Sequence, residues 1–348
     1  MATLAAGKLT LLDWAKRRNP NGGVETDLAE LLTQENDILE DAVFVEGNLP
    51  TGHRVGVRTG LPTVYWRQLN AGVPTSKSTT AQVDEPCGML EGYSEVDVDL
   101  ANLEADQAAF RMSEDSAFVE GMNQGMAQTL FYGNVAADGK TFTGLATRYS
   151  AISGAGNAQN ILSGGGSGSV NTSIYLVGWG KKGVFCTFPK GSKAGLLVED
   201  LGRDTVIDTN GGRFQAYRTH YQWKNGLVVK DWRYAVRAAN IDSTNLVNES
   251  SPANLVKLLT KMLWRLPSWD NIRPVFYVNR TVGEMLMIQA LNASGGGVAA
   301  AGGTTAPGAI LSIRDAITQF GSTKATLTFM GFPIRICDQI LNTEATIS

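Results

Sequence analysis

Three features of the sequence predict a mixed α+β fold with extended appendages. One is a helical run of about thirty residues from Asn102, roughly 45 Å if unbroken. Another is a series of short alternating runs, broken by Gly and Pro, over residues 48–99 and again in the second half. The third is composition: 43% hydrophobic and 18% charged residues over 348 positions describe a folded chain of one large or two modest domains.

The elements follow in chain order. From Thr26, "TDLAELLTQENDILEDAVF" sets Leu28, Leu31, Leu32 and Leu39 on one helical face. An amphipathic arm that needs a partner surface is predicted there, after the turn "NPNGG". Between residues 48 and 99, "HRVGVRTG", "TVYWRQLN" and "GYSEVDVDL" read as strands joined by turns. A hairpin with so little apolar content is marginal alone, so it is expected to lie on a neighbouring surface.

Asn102 is read as the cap of the long helix, with Glu104 and Asp106 in its first turn and Gly133 and Asn134 as the stop. Phe118, Met122, Met126 and Leu130 form its apolar stripe, while Gly121 and Gly125 weaken it or permit close approach. "NAQNILSGGGSGSV" reads as a flexible junction, and "TSIYLVGWGKKGVFCTFP" as a strand pair. Ser251 and Pro252 are expected to open a helix whose stripe is Leu255, Leu258, Leu259 and Met262, closed by Pro267. "RPVFYVN" reads as a buried strand, followed by a helix opened by a Thr281 and Glu284 capping box. "SGGGVAAAGGTTAPG" reads as flexible, and "KATLTFMGFPIRICDQI" as two strands turned at Met330 and Gly331. No internal repeat is present.

Little in the chain points to catalysis. The 30 basic and 33 acidic residues give a net charge of −3, without the excess of Lys and Arg that phosphate neutralisation needs. Cys87, Cys186 and Cys337 lie far apart with no CxxC spacing, which suits buried free thiols in a reducing compartment. No signal peptide and no long apolar span is read, so neither secretion nor membrane insertion is expected. Gly178, Gly180 and Gly183 satisfy GxGxxG, but "VFCTFP" follows where a dinucleotide site needs a helix. His53 and His220 share no ligand spacing, and no GxSxG elbow occurs. No catalytic residue, cofactor or metal is assigned. Carboxylates distant in sequence could still meet in a hydrolase, with Trp232 and Tyr234 as a sugar platform, which keeps a carbohydrate-active enzyme as an alternative.

Read with period two, the stretch "GLVVKDWRYAVRAANID" points Val228, Lys230, Trp232, Tyr234 and Val236 one way and Val229, Asp231, Arg233, Ala235 and Arg237 the other. The second face is chiefly charged and suits a matching charged surface on another chain.

The order of these elements resembles that of the major capsid proteins of tailed bacteriophages with the Hong Kong 97-type fold, across nearly the whole chain. Local likenesses are "VGWGKKGVFCTFPKGSKAGLLVEDLG", "NGLVVKDWRYAVRAANID" and "FMGFPIRICDQI". The resemblance implies an N-terminal arm at residues 1–46 and an extended β-hairpin E-loop at 47–100. The spine helix and part of the peripheral domain follow at 101–165, and a mixed axial and peripheral body at 166–348. It implies a shell subunit that self-assembles through pentamers and hexamers into an icosahedral virion capsid around double-stranded DNA, assembled in the bacterial host cytoplasm. Scaffolding protein, portal and decoration proteins are the further partners it suggests, with only loose, non-specific contact to the genome. Some members cross-link neighbouring chains through Lys and Asn; no such motif matches here, so Lys77 is not assigned that role. An encapsulin-like nanocompartment shares the fold and stays an alternative. The subunit-contact candidates are Leu28, Leu31, Arg54, Arg58, Trp66, Arg67, Asp231, Arg233 and Arg237.

Overall fold

The structure is a computed structural model that describes residues 32–103, 106–154, 156–208, 210–295, 311–316 and 324–348. For residues 291–295, 311–316 and 324–326 only the backbone is described. Leu28, Leu31 and most of "SGGGVAAAGGTTAPG" lie outside these residues.

In chain order the elements are α1 (Ile38–Asp41), β1 (Phe44–Glu46), β2 (Gly52–Gly60), β3 (Thr79–Pro86), β4 (Gly88–Asp97), α2 (Val98–Ala101) and α3 (Gln107–Tyr132). Next come α4 (Leu145–Arg148), β5 (Ile161–Ser163), β6 (Asn171–Trp179), β7 (Val184–Phe188), β8 (Leu196–Ile207), β9 (Arg213–Val229), β10 (Ala235–Asp242), α5 (Ser243–Val247) and α6 (Leu255–Leu263). The chain finishes with β11 (Arg273–Val278), α7 (Arg280–Gly295), β12 (Leu311–Ala316), β13 (Lys324–Phe329) and β14 (Phe332–Ile336). They form two compact units. One holds the described residues of Met89–Met126 and Gly195–Lys224 with residues 32–34; the other holds those of Glu35–Gly88, Ala127–Ala194 and Asn225–Ser348.

The larger unit is built around β6, all nine residues of which are buried. A strand covered on both faces reads as a continuous apolar run, as "SIYLVGW" does. Antiparallel β11 and β10 flank it, β14 runs parallel to β11, and β13 and β12 continue the sheet beyond β14. On one face Ile174, Leu176, Val236, Phe276 and Val278 pack with the buried stripes of α6 and α7. Each fully buried Leu of that layer contributes about 1.5–3 kcal/mol. The opposite face alternates by one residue: Tyr175, Trp179 and Tyr277 lie with Phe131 from the last turns of α3, the Phe131 and Tyr175 ring centroids 5.0 Å apart. Trp179 Nε1 donates to Tyr277 Oη at 2.7 Å, and Tyr277 Oη donates to Asp41.

In the smaller unit, the first twenty residues of α3 accompany the β8 and β9 hairpin. Met122 and Met126 are buried, as the stripe predicts, and Phe118 stacks on Tyr221 at 5.9 Å. Polar pairs hold the rest. Arg111 meets Asp200 at 2.8 Å and covers the Tyr217 ring, while Arg218 bridges Glu95 and Asp204 and covers Tyr93.

Helix starts differ from the sequence reading because a side chain nearer the first turn takes the cap. Asp106, not Asn102, accepts from the amides of Ala108 and Ala109. Asn254, not Ser251, accepts from Lys257 N at 2.8 Å, and Asn279, not Thr281, accepts from Val282 N at 2.9 Å. Among the described residues of the predicted amphipathic helix, 32–37 are not helical and the four-residue α1 forms; Leu32 is exposed. "TVYWRQLN" forms no strand, since the β2 and β3 ladder ends at Gly60 opposite Thr79 and no third strand joins it among the described residues.

"NAQNILSGGGSGSV" is no flexible junction. It makes a 3-10 turn (Gly156–Asn160) and then β5, which pairs parallel with β10. Two of its glycines serve close approach: a Cβ on Gly164 or Gly166 would come within 2.8 Å of the Asn240 carbonyl oxygen. The terminal hairpin turns at Met330 and Gly331 as predicted, both with positive φ, 50° and 86°.

Candidate functional site

The hairpin of residues 52–86 divides into a root and an outer segment. At the root, β2 and β3 pair from Gly52 opposite Pro86 outward. Val55 packs with Phe185 and Val228 in a small apolar cluster that Val43, Val45 and Val57 border, and His53 sets its ring edge-on to Phe185 at 5.4 Å. Burial, with the nearby Lys230 charge, lowers the His53 pKa and favours the neutral ring there. Asn48 clamps the next residue twice, accepting from Arg54 N at 2.7 Å and donating to Arg54 O at 2.8 Å.

The strongest tie at the root is ionic. Arg148 Nη1 and Nη2 donate to the two Glu85 carboxylate oxygens at 2.7 and 2.6 Å, and Nη2 also reaches Leu227 O at 3.0 Å. Both side chains are largely buried, at 14% and 7% exposure. A fork of this kind fixes orientation as well as distance. Its members lie 63 positions apart, so no local pattern announces it. Further out, Arg54 forks onto Asp84 across the ladder at 2.6 and 2.7 Å.

Beyond the ladder the character changes. Every residue from 61 to 78 is exposed, and the segment has no regular structure apart from a turn near Asn70. It nevertheless leaves large apolar side chains in solvent: Leu61, Val64, Trp66 and Leu69 are more than four-fifths exposed, and Tyr65 and Val73 about half. Its described hydrogen bonds are internal, Ser76 Oγ to Thr63 O at 2.6 Å and Ala71 N to Gln68 O at 3.2 Å. Large apolar side chains left this exposed are what an interaction surface presents.

The candidate residues fare differently. Trp66 and Arg67 lie on the exposed segment and Arg58 on the outer part of β2, whereas Arg54 is exposed but committed to Asp84. Asp231 and Arg233 pair with each other at 2.7 Å. The continuous charged strand face drawn from residues 226–242 is corrected: β9 ends at Val229, a 3-10 turn occupies Trp232–Tyr234, and β10 starts afresh at Ala235. Asp231 forces the break by capping that turn, accepting from Arg233 N at 3.0 Å.

Arg237 is likewise no surface residue. It is 4% exposed, beside Tyr175 in the sheet. Its guanidinium donates to Glu344 at 2.9 Å, Tyr149 O at 2.7 Å and Ser173 Oγ at 3.1 Å. Tyr132 and Ser173 hydroxyls complete the shell of Glu344, locking the C-terminal residues to the body. Sequence reasoning missed Glu85, Arg148 and Glu344, whose roles exist only through long-range partners.

Trp232 and Tyr234 make no common platform, since Tyr234 packs against the apolar core. Burial pushes the thiols of Cys186 and Cys337 up to about 12 and that of Cys87 up to about 11. Among the described residues no group of His, Cys, Asp and Glu could hold a metal ion, and no helix is long and apolar enough to cross a membrane. After Gly178, Gly180 and Gly183 comes β7, not a helix.

Comparison with known proteins places this architecture. No curated protein matches in sequence. A chain of the bacteriophage epsilon15 structure is 32% identical, with a TM-score of 0.73, covering 100% of this chain and 99% of that one. At 10% identity and a TM-score of 0.43, the capsid of an empty GTA particle covers 68% of this chain and 99% of its own. The SrpI encapsulin of Synechococcus elongatus PCC 7942 matches at 11% and 0.41, covering 67% and 97%. The fold is that of the Hong Kong 97-type capsid proteins. A model of the family described as "Major capsid protein GP7" matches residues 19–348. The chain belongs to that family, and it is a shell-forming phage coat protein.

Proposed function

We propose that copies of this chain join into pentamers and hexamers that close an icosahedral virion shell, each laying residues 61–78 over a neighbouring copy. The observation that carries this is the apolar, fully exposed outer segment on a root that is firmly bonded to the body. Arg58, Trp66 and Arg67 are its contact residues, while Arg54 stiffens the hairpin and Asp231 with Arg233 shapes its base. The arm, Leu28 and Leu31 included, belongs to the same set of intercopy contacts through its amphipathic pattern. Residues 1–46 act as that arm, 47–100 as the E-loop, 101–165 as the spine helix with part of the peripheral domain, and 166–348 as the mixed axial and peripheral body.

Lateral interfaces in such an obligate shell bury on the order of 2,000 Å² or more each. Around a five- or six-fold axis the contact is head-to-tail, so one surface is covered by a different surface of the next copy and the ring closes. The role is structural, without catalysis. Assembly in the host cytoplasm, with scaffolding protein, portal and decoration proteins, fits the family. The net charge of −3 favours only loose contact with the packaged double-stranded DNA.

Replacing residues 61–78 with a short Gly-Ser turn tests this reading. The variant should fold with an unchanged thermal midpoint and form no shells in electron micrographs; closed shells from the shortened chain would refute it.

A further inference from the structure

A cleft of about 570 Å³ opens at the base of the hairpin, where Arg58, Leu61, Lys182, Lys230 and Trp232 line it. Arg58, Lys182 and Lys230 are exposed, and none of the three side chains has an ion pair or hydrogen bond among the described residues. The remaining charges, Asp231 and Arg233, neutralise each other. The floor is rigid: the Trp232 carbonyl accepts from Tyr149 Oη at 2.7 Å and Asp231 caps the turn beneath it. This is a preformed, uncompensated cationic site, continuous through Leu61 with the apolar outer segment.

The same chain carries an uncompensated acidic counterpart. From Ser78 to Phe110 it holds no Lys or Arg. Within that stretch Asp84 is matched by Arg54, Glu85 by Arg148 and Glu95 by Arg218, and Glu91 faces His220. Asp97, Asp99 and Asp106 have no cationic partner among the described residues. Asp97 and Asp106 are held in place as caps, accepting from Asp99 N at 2.8 Å and from Ala108 N at 3.0 Å, and Asp99 is exposed between them. Among the described residues of the stretch, Asp97, Asp99 and Asp106 are therefore set against three unpaired cations in the cleft, and Glu104 lies outside the described residues.

We propose that the cleft of one copy receives the acidic turn around Asp97–Asp99 and Asp106 of a second copy. The inference rests on the shell reading and adds to it the residues that set the register between neighbours. Charge complementarity of this kind chooses the partner and speeds encounter more than it adds affinity, and salt screens it. Apolar burial by residues 61–78 holds the copies together; the cleft decides where they meet.

The test is charge reversal and restoration in the full chain. K182E/K230E should fold normally, since both side chains are exposed, and should assemble at least about tenfold more slowly in low salt. Adding D99K to the same chain should restore most of that rate, because each copy then offers an acidic cleft and a basic turn. D99K alone should also slow assembly. Should K182E/K230E misfold, K182Q/K230Q serves instead, with a smaller loss and a flatter salt dependence. Assembly of the cleft variants at the wild-type rate would overturn the inference. So would a loss that D99K leaves unrepaired, since the cleft would then serve another partner, such as an acidic protein or a phosphate group. If these variants assemble normally while the chain lacking residues 61–78 does not, only the cleft is wrong; wild-type chain that never closes shells sinks the shell reading itself.

Discussion

The two halves of one hairpin obey opposite rules. Its root satisfies itself: Glu85 and Arg148 neutralise each other out of water, Val55 finds Phe185 and Val228, and Asn48 closes both hydrogen bonds of Arg54. Its outer segment satisfies almost nothing, leaving Leu61, Val64, Trp66 and Leu69 in solvent. Free energy that orders the root comes from within the chain; free energy that would order the outer segment has to come from another molecule. A coat protein gains from this division. In the proposed shell a firm root would aim the loop, and the tip would stay uncovered until a neighbour arrives.

The sharpest way to break the comparison is to damage the root alone. Arg148→Met strands a buried carboxylate, and loss of one member of such a pair costs about 3–5 kcal/mol. The midpoint of chemical unfolding should fall accordingly, and assembly should fail with it because the loop is no longer aimed. Adding Glu85→Leu should recover much of the stability, as replacement of both partners often does. If Arg148→Met leaves the midpoint unchanged, the root is not held as described.

The converse experiment damages only the tip. Trp66→Ala should leave the unfolding midpoint of the subunit within about 0.5 kcal/mol, since the side chain touches little of its own chain. Its effect should appear between copies, at about 2 kcal/mol per contact if Trp66 is a buried anchor there, read as a raised critical concentration for assembly. A destabilised subunit with unimpaired assembly would reverse the assignment of root and tip.

The smallest expected effect lies between the two, at the exposed fork. Hydrogen bonds from Arg54, with the attraction of its charge, hold the Asp84 carboxyl below the ordinary carboxylate range. A lowered folded-state pKa lends stability that is present above the unfolded value, about 4, and is lost as pH falls through the folded value. Amide protection in the outer rungs of the β2 and β3 ladder, corrected for intrinsic exchange, should therefore fall below about pH 4. Asp84→Asn should remove that acid sensitivity.

Much of the body was legible in the sequence because its signals are local. The run "SIYLVGW" reports a strand buried on both faces, the spacing of Leu255, Leu258, Leu259 and Met262 reports a helix face, and Met330 with Gly331 reports a tight turn. Helix ends were misread where two capping side chains competed within a few residues, as Asn254 did with Ser251. The stretch from Gly226 to Asp242 misled for a different reason. Alternation alone cannot reveal that Asp231 turns inward on its own backbone, or that Arg237 is drawn beneath Tyr175 by a carboxylate 107 positions away. The exposed tip was legible as composition, not as structure: Trp66 and Arg67 stood out, but only the ladder's end at Gly60 opposite Thr79 shows that "TVYWRQLN" pairs with no strand among the described residues. Glu85, Arg148 and Glu344 were invisible because an ion pair across the fold leaves no trace in local order.

The most direct test follows Trp66 through assembly. Oxidative footprinting read by mass spectrometry should modify Trp66 rapidly in unassembled subunits, where it is fully exposed, and at least about tenfold more slowly in closed shells, where a neighbour covers it. Equal rates in the two states would contradict the account, for they would leave the apolar tip uncovered in the finished shell.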